Sequence, residues 1–262
     1  MSRVFHWILI ASVVSLVGCI KLIPTGRGVY YVKPNIDTVT TPVVNIAALR
    51  AAYPNDRGVL LGYRVRGYEQ DWIEDQNYLH IRSERYVILD AKADDLTNIS
   101  ESFHEAITMA EADVLVFHPD GTREQYGLKD FTVTQTSKRW RSYRLPIKNA
   151  TAGTVVDMCW VLSAHNSMVF TAVEPSYLRH PIPSLEHDIE YQRPSLFMFQ
   201  EKELPAASNV KPDRFVRDNV LVYRSGKQPA ARNESFSPVR AIRWARLDYC
   251  AKPVQLLGYM SG

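Results

Sequence analysis

The residue types of a thiol nucleophile occur together in one stretch of the sequence. Cys159 lies two residues after Asp157 and six before His165. A nucleophilic cysteine needs a base within hydrogen-bond reach and a third group that orients the base. Val155–Leu162 predicts a buried strand, and His165 would fall in the turn beyond it, about 20 Å from Cys159 at ~3.3 Å per residue. The spacing favours a core cysteine, and a thiol hydrolase or transferase using Cys159 stays as the alternative.

Metal-ligand residue types cluster locally at His180, His187, Asp188 and Glu190. The stretch is rich in proline and is typical of a solvated loop. The sequence holds no Cys-x-x-Cys, His-Glu-x-x-His or acidic calcium loop, and no nucleotide-binding or serine-hydrolase motif. We therefore expect no metal, no cofactor and no catalytic residue, and we predict that the protein is not an enzyme.

An aromatic residue with basic neighbours is a candidate for ligand contact. Trp140 lies between Arg139 and Arg141 in a stretch that ends at Tyr143. An indole ring and two guanidinium groups could stack on sugar rings or pair with acidic groups of a cell-wall polymer or lipid. The other interpretation is that Trp140 covers the core between two strands.

The first nineteen residues predict where the protein works. Arg3 is the one charged side chain before Cys19, and Trp7–Leu16 is an uncharged apolar run, which is typical of a secretory signal. The ending Leu16-Val17-Gly18-Cys19 resembles the lipobox of bacterial lipoproteins, whose cysteine carries the lipid, including palmitate, of the mature chain. The resemblance implies removal of residues 1–18 and lipidation of Cys19. An N-terminal membrane helix over Val4–Ile23 is the alternative.

The charge balance of the chain limits the classes of binding partner that we expect. Removing Arg3 leaves 30 basic against 28 acidic residues, a balance that gives no support for a nucleic acid partner, which would need a clustered basic face. The stretch from Lys202 onward carries 11 basic and 5 acidic residues. It would either face anionic lipid or attract the more acidic residues 19–201.

Export would leave Cys159 and Cys250 in an oxidising compartment, where they could form a disulfide worth about 4–5 kcal/mol or stay unpaired.

Alternation of apolar and polar residues dominates the chain after residue 58 and predicts strands with one dry and one wet face. Ala112–His118 leads into the turn Pro119–Thr122 and a return strand at Arg123–Gly127. A helix is predicted at Asn45–Tyr53, and another around Glu101–Ala106. Ser237–Tyr249 fits a helix or a strand. Further strands are predicted at Val59–Arg66, Leu79–Leu89, Phe131–Thr136, Arg141–Leu145, Thr154–Ser163, Met168–Val173, Ser195–Glu203 and Asn219–Arg224.

These elements predict a mainly β fold, an antiparallel β-sandwich with a short N-terminal helix that follows the cleaved signal helix. We expect a signal peptide at residues 1–18 and an extended, lipidated tether at 19–44. The sandwich domain is expected at 45–200. A C-terminal extension at 201–262 would pack on the sandwich or continue it.

Residues ~57–175 resemble the bacterial domain of unknown function that precedes transglutaminase-like domains in exported proteins. The resemblance rests on Tyr53–Leu61, Val114–Thr122, Tyr143–Pro146 and Gly153–Val156, in that order and spacing. It implies a sandwich that is not itself catalytic. The transglutaminase core is not expected in this chain, so the domain would stand alone or serve an enzyme on a separate polypeptide.

The combined expectation is a lipid-anchored protein of the bacterial cell envelope. Ile20 after Cys19, where retained lipoproteins carry aspartate, predicts the outer membrane and a periplasm-facing domain. The sandwich would bind or organise an envelope protein or a cell-wall component. A structural subunit of a larger envelope complex is a further alternative.

Overall fold

The computed structural model describes residues 21–25, 28–32, 36–70, 77–90, 92, 94–105, 107–165, 175–176, 182–192, 197–203, 213–217, 220–227, 230 and 245–251. The predicted fold class is confirmed, since the chain is mainly β and forms a sandwich of antiparallel sheets with a short helix before it. The predicted strand at Met168–Val173 lies outside the described residues.

The described part of the chain contains sixteen strands, two short α-helices, α1 (Ile46–Ala52) and α2 (Asp94–Thr97), and a 3-10 turn at Leu128–Asp130. The strands are β1 (Lys21–Thr25), β2 (Gly28–Val32), β3 (Gly58–Gln70), β4 (Asn77–Ile88), β5 (Asn98–His104), β6 (Ile107–Phe117), β7 (Arg123–Gly127), β8 (Thr132–Ser137), β9 (Trp140–Pro146), β10 (Val155–His165), β11 (Pro175–Ser176), β12 (His187–Gln192), β13 (Phe197–Glu203), β14 (Asp213–Arg217), β15 (Val220–Ser225) and β16 (Ala245–Ala251).

An eight-stranded sheet forms one layer of the sandwich, in the order β14-β15-β12-β3-β4-β10-β6-β7. The other layer is a small sheet in the order β5-β9-β8. Two further sheets are β11-β16-β13 and the hairpin β1-β2. Strand pairing is antiparallel except between β12 and β3, which run parallel within the described residues.

The core lies between the eight-stranded sheet and the small sheet. Trp160 on β10 is fully buried there, and its ring lies 5.3 Å from that of Phe131 at 58°. Phe103 and Tyr143 of the small sheet meet edge to face at 5.9 Å. Every second residue of β10 faces this layer because side chains alternate along a strand. Burial of these large side chains contributes the main stabilisation of the sandwich.

Helix α1 covers a second apolar cluster on the opposite face of the eight-stranded sheet, built on Val59, Val87 and Leu115. The predicted helix is confirmed, and its cap acts as expected, because Asn45 Oδ1 accepts a hydrogen bond from the Ala48 amide at 3.0 Å. Leu49 of α1 packs against the cluster.

The hairpin between β6 and β7 is also confirmed. Asp120 Oδ1 accepts a hydrogen bond from the Thr122 amide at 2.9 Å, and His118 donates its amide to the Thr122 carbonyl at 2.9 Å. Gly121 adopts φ +90°, a conformation that glycine reaches without strain. Hydrogen bonds from the Thr122 side chain and backbone hold the pKa of Asp120 below its usual value.

The helix predicted around Glu101–Ala106 is wrong, because strand β5 occupies most of this stretch. Ile99 and Phe103 are buried at 6% exposure each, while Ser100 and Ser102 between them are exposed. That spacing has a period of two, and pairing with β9 lets it bury one face.

The stretch expected to be an extended tether has structure of its own. The hairpin β1-β2 lies within it, and Ile36, Val39 and Val44 pack against the second apolar cluster. Arg123 Nη2 donates to Thr41 Oγ1 at 2.6 Å. Residues 36–44 therefore lie on the sandwich and do not run away from it.

Part of the C-terminal extension is built into the described sheets. Strands β14 and β15 extend the eight-stranded sheet, and β16 pairs with β13. Of the two structures that Ser237–Tyr249 allowed, the strand is found over Ala245–Ala251. Residues 231–244 lie outside the described part of the chain.

Candidate functional site

The exposed surface of the small sheet is rich in hydroxyl groups. Strand pairing sets Ser100 and Ser102 of β5, Ser142 and Arg144 of β9, and Thr132 and Thr134 of β8 side by side. Ile99 and Phe103 beside the β5 serines are buried, so these serines face outward, and the pairing register puts the β8 and β9 residues on the same face. We call this surface the hydroxyl face and define it by Ser100, Ser102, His104, Thr132, Thr134, Trp140, Ser142 and Arg144.

Trp140 stands at one end of the hydroxyl face and is 47% exposed, so it does not cover the core. Its ring meets that of His104, directly across on β5, edge to face at 5.6 Å. Its backbone carbonyl accepts a hydrogen bond from Thr136 Oγ1 at 3.3 Å. The indole therefore packs against His104 on one side and leaves an apolar surface open to solvent.

The two arginines beside Trp140 lie elsewhere. Arg141 is the next residue along β9, so its side chain leaves the sheet on the opposite side. Arg139 lies in the β8–β9 turn, where Nε is 3.8 Å from Glu105 and both side chains are more than half exposed. The cation that shares the hydroxyl face with Trp140 is Arg144, which is exposed.

The chemistry of the hydroxyl face suits a polar, ring-shaped ligand. Serine and threonine hydroxyls both donate and accept hydrogen bonds, as sugar hydroxyls do. The Trp140 ring offers a flat apolar surface, and the Arg144 guanidinium can pair with a carboxylate through two parallel hydrogen bonds. Ser142, on the central strand of this face, is only 2% exposed, so the hydroxyls open to solvent are those of β5 and β8.

The sequence analysis identified Trp140 but not the other residues of the hydroxyl face. A signal was present, because Thr132, Thr134 and Thr136 alternate along one segment. Arg144 lies at an even spacing from Trp140, which would have separated it from Arg141. The contribution of β5 was not identified, because the stretch around Glu101–Ala106 was predicted to be a helix, in which its residues would not line one face of a sheet.

Cys159 lies in the middle of β10 and is 2% exposed. Its cross-strand neighbours are Ser83 on β4 and Asp113 on β6, both buried. His165 is at the end of the same strand, six residues away, which is about 20 Å at ~3.3 Å per residue. The described strand does not bring the cysteine and this histidine together.

Asp157, the third residue of the thiol hypothesis, pairs with Arg85 on the neighbouring strand. Arg85 Nε donates to Asp157 Oδ2 at 3.1 Å, and its Nη2 makes a second, shorter bond to the same oxygen. The two side chains are 3% and 0% exposed. This carboxylate therefore neutralises a buried guanidinium on the face of the sheet that also carries Cys159.

Two predicted modifications lie partly or wholly beyond the described residues. Cys19, the predicted lipidation site, lies outside them. Cys250 lies on β16 in a different sheet from Cys159, and its side chain is outside what the structure describes. The disulfide between Cys159 and Cys250 stays a prediction.

Asp188, one of the candidate metal ligands, is surrounded by arginines. Arg66 Nη2 donates to Oδ2 at 2.7 Å, and the Nε atoms of Arg224 and Arg64 lie 3.4 and 3.7 Å from the carboxylate. Burial raises the pKa of Asp188, but the three arginines outweigh it and hold the pKa below its usual value. We call these four residues with Glu186 the arginine cluster.

Glu186 responds in the opposite direction. Burial, and then the charge of Asp188, raise its pKa, while Arg64 and Arg224 offset only part of that shift. In the described residues no group of three or more His, Cys, Asp or Glu is arranged to hold a metal ion. Within those same residues, no helix has the length and apolar character needed to cross a membrane.

Comparison with known proteins reveals a likeness of fold. No family model matches the sequence, and no curated protein matches it. Among solved structures, the chain is similar to one from Parabacteroides distasonis described as a "putative protease", with a TM-score of 0.58 and 11% identity. The likeness covers 75% of this chain and 41% of that one, so the present chain spans less than half of the longer protein.

Proposed function

We propose that the protein is a lipid-anchored, periplasm-facing component of the bacterial cell envelope whose sandwich binds a cell-wall component without catalysis. The hydroxyl face carries the binding part of this proposal. The lipobox-like ending Leu16–Cys19 supports the anchoring part. The two parts have separate tests, because an exported sandwich could bind a glycan without carrying a lipid.

The hydroxyl face supports binding because it combines three kinds of contact on one open surface. The four hydroxyls of Ser100, Ser102, Thr132 and Thr134 are exposed at regular strand spacing. A stacking ring stands at one end, and Arg144 supplies a positive charge. Such a surface fits a glycan chain that also carries carboxylate groups, as acidic cell-wall polymers do.

The ligand is tested with fluorescently labelled, soluble cell-wall fragments titrated against the purified full-length protein. We expect Trp140→Ala to weaken binding about ten-fold, because the ring loses its contact with the ligand. Val133→Ala is the matched control, since Val133 is 51% exposed but leaves the sheet on the other side. Unchanged affinity in Trp140→Ala would discard the hydroxyl face as the binding site.

The charge requirement has its own matched pair of variants. Arg144→Gln should weaken binding of carboxylated fragments, whereas Arg141→Gln should leave it unchanged because Arg141 lies on the opposite side of the sheet. Fragments whose carboxylates have been amidated should bind both variants and the unmodified protein alike. Equal losses in the two variants would mean that only general charge matters.

The anchor is tested by metabolic labelling with palmitate. The unmodified protein should incorporate the label, and Cys19→Ala should not. Globomycin, which blocks cleavage of lipoprotein signals, should leave a precursor of larger size. A protein that incorporates no palmitate and keeps its size under globomycin would refute the anchor and leave glycan binding to be judged separately.

A separate polypeptide is the second partner within the proposal. The resemblance over residues ~57–175 implies a sandwich that accompanies an enzyme. The likeness to 41% of a longer chain supports the idea that this fold occurs beside other domains. Cross-linking in intact cells followed by affinity purification of this protein should then recover an envelope enzyme. If a variant that lacks the sandwich, residues 45–200, recovers the same enzyme equally well, this role would be refuted.

A further inference from the structure

The edge strand β8 differs from the other edges of the two sandwich sheets. Within the described residues β8 pairs with β9 on one side and with no strand on the other. The remaining edges, β5, β7 and β14, each contain charged residues, whereas β8 reads Thr-Val-Thr-Gln-Thr-Ser. Charges, prolines and β-bulges are the usual protection of an edge against pairing with another strand. β8 has neither a charge nor a proline, and its bulge lies near its C-terminal end, between Gln135 and Ser137.

The side chains on both faces of β8 are also open to solvent. All six of its residues are exposed, including Val133 at 51%. Its residues are strongly suited to strands, since threonine and valine are β-branched. An uncharged edge of this length with two exposed faces is ready to accept one more strand by main-chain hydrogen bonds.

We propose that β8 pairs antiparallel with β8 of a second copy of the chain, which joins the two small sheets into one six-stranded sheet. Directly opposite residues in an antiparallel pair point to the same face. For the hydroxyl faces of both copies to lie on the same side of the joined sheet, even-numbered residues must therefore pair with even-numbered residues, and odd with odd. Centred on Thr134, this pairing sets Thr134 against its own copy and Val133 against Gln135.

The charges that flank β8 favour this partner and this direction. Lys129 and Asp130 precede the strand and balance each other, whereas Lys138 and Arg139 follow it and are both basic. Antiparallel pairing of two copies brings each Asp130 to the end occupied by the other copy's Lys138 and Arg139. A parallel pair would place Lys138 and Arg139 of one copy against the same two residues of the other, which is unfavourable.

Such pairing doubles the hydroxyl face without hiding it. The two β9 strands would lie three strand spacings apart, about 14 Å, with both Trp140 rings on the same surface. The inference does not depend on glycan binding, because the edge pairs through its backbone whatever ligand the face takes.

Disulfide trapping in the full-length protein tests the register. Thr134→Cys should form a cross-linked dimer under mild oxidation, since the paired Cα atoms would lie about 4.5–5.5 Å apart, within disulfide range. Ser102→Cys is the control, because it is exposed on the same face but belongs to the opposite edge strand, β5. Equal trapping in both variants, or none in Thr134→Cys above the unmodified protein, would overturn the pairing.

A charge placed at the axis tests the same contact without oxidation. Thr134→Lys sets two ammonium groups against each other and should convert the dimer to monomer in sedimentation equilibrium with density-matched detergent. Ser102→Lys should remain a dimer. Circular dichroism checks that both variants are folded. A monomeric unmodified protein, or a dimer that survives Thr134→Lys, would refute the proposal.

Discussion

Arg85 and Asp157 show how a single residue can look catalytic in sequence and be structural in the fold. An aspartate two positions before a cysteine suggests assistance to a thiol. In the sheet, Asp157 instead neutralises a guanidinium that is almost fully buried. Removing one member of such a pair leaves an uncompensated charge in a region of low dielectric, which costs far more than removing both.

We therefore predict that Arg85→Met lowers the free energy of unfolding by about 3–5 kcal/mol. The double variant Arg85→Met with Asp157→Leu should lie much closer to the unmodified protein. Urea unfolding followed by tryptophan fluorescence measures both. A double variant as unstable as the single one would show that the pair is needed for more than charge balance.

At the scale of elements, the start of β3 depends on a close approach that only glycine permits. A Cβ atom on Gly58 would lie 2.7 Å from the Val87 carbonyl oxygen and 2.5 Å from Leu96 Cδ1. The carbonyl belongs to the paired strand β4, so it cannot retreat without disturbing the β3–β4 ladder. The resemblance motif Tyr53–Leu61 includes this glycine, and the structure supplies a steric reason for it.

Gly58→Ala should destabilise the protein by about 1–3 kcal/mol, the usual cost of forcing an extra carbon into packed structure. Gly226→Ala is the control, because a Cβ atom there meets nothing within 4 Å. The melting temperatures of both variants and of the unmodified protein, measured by thermal unfolding, test this prediction. Equal melting temperatures for the two variants would contradict the steric argument.

At the scale of the whole molecule, the arginine cluster ties the C-terminal strands to the sandwich. Asp188 on β12 contacts arginines from β3 and from β15, and these contacts cross three neighbouring strands of the eight-stranded sheet. Val222 of β15 is fully buried. Strand β15 therefore shares the ionic and apolar contacts of the main sheet, and β14 pairs with it.

The opposite pKa shifts of Asp188 and Glu186 predict opposite effects of neutralising them at pH 7. The lowered pKa of Asp188 means that its charge stabilises the fold above the ordinary carboxylate pKa, about 4, and that this contribution is lost as the pH falls through the lowered value. The raised pKa of Glu186 means that its contribution is present below the ordinary pKa and is lost as the pH rises through the raised value.

Asp188→Asn should therefore lower the melting temperature at pH 7, and Glu186→Gln should raise it. The deficit of Asp188→Asn should shrink in acid, where the unmodified Asp188 is also protonated. Hydrogen exchange should show that amides of β14 and β15 lose more protection in Asp188→Asn than those of β6 and β7. Uniform loss over all strands would mean that the cluster does not specifically hold the C-terminal strands.

Sequence reasoning succeeded where the deciding contacts are local. The helix capped by Asn45 and the turn at Pro119–Thr122 are both set by bonds between residues a few positions apart. It failed at β5, because a short polar stretch with two apolar residues becomes a strand only when β9 pairs with it and buries Ile99 and Phe103. The parallel pairing of β12 with β3 likewise joins segments more than a hundred residues apart.

For the candidate site, the sequence alone determined that Trp140 has basic neighbours and that the chain begins with a signal-like segment ending in Cys19. Tertiary structure alone decided that β5 and β8 bring Ser102 and Thr134 to the face of β9 that carries Trp140, and that Asp157 is committed to Arg85. The reason is physical. Periodicity along the chain specifies which residues share a face of one strand, whereas which strands become neighbours depends on burial and pairing across long sequence separations.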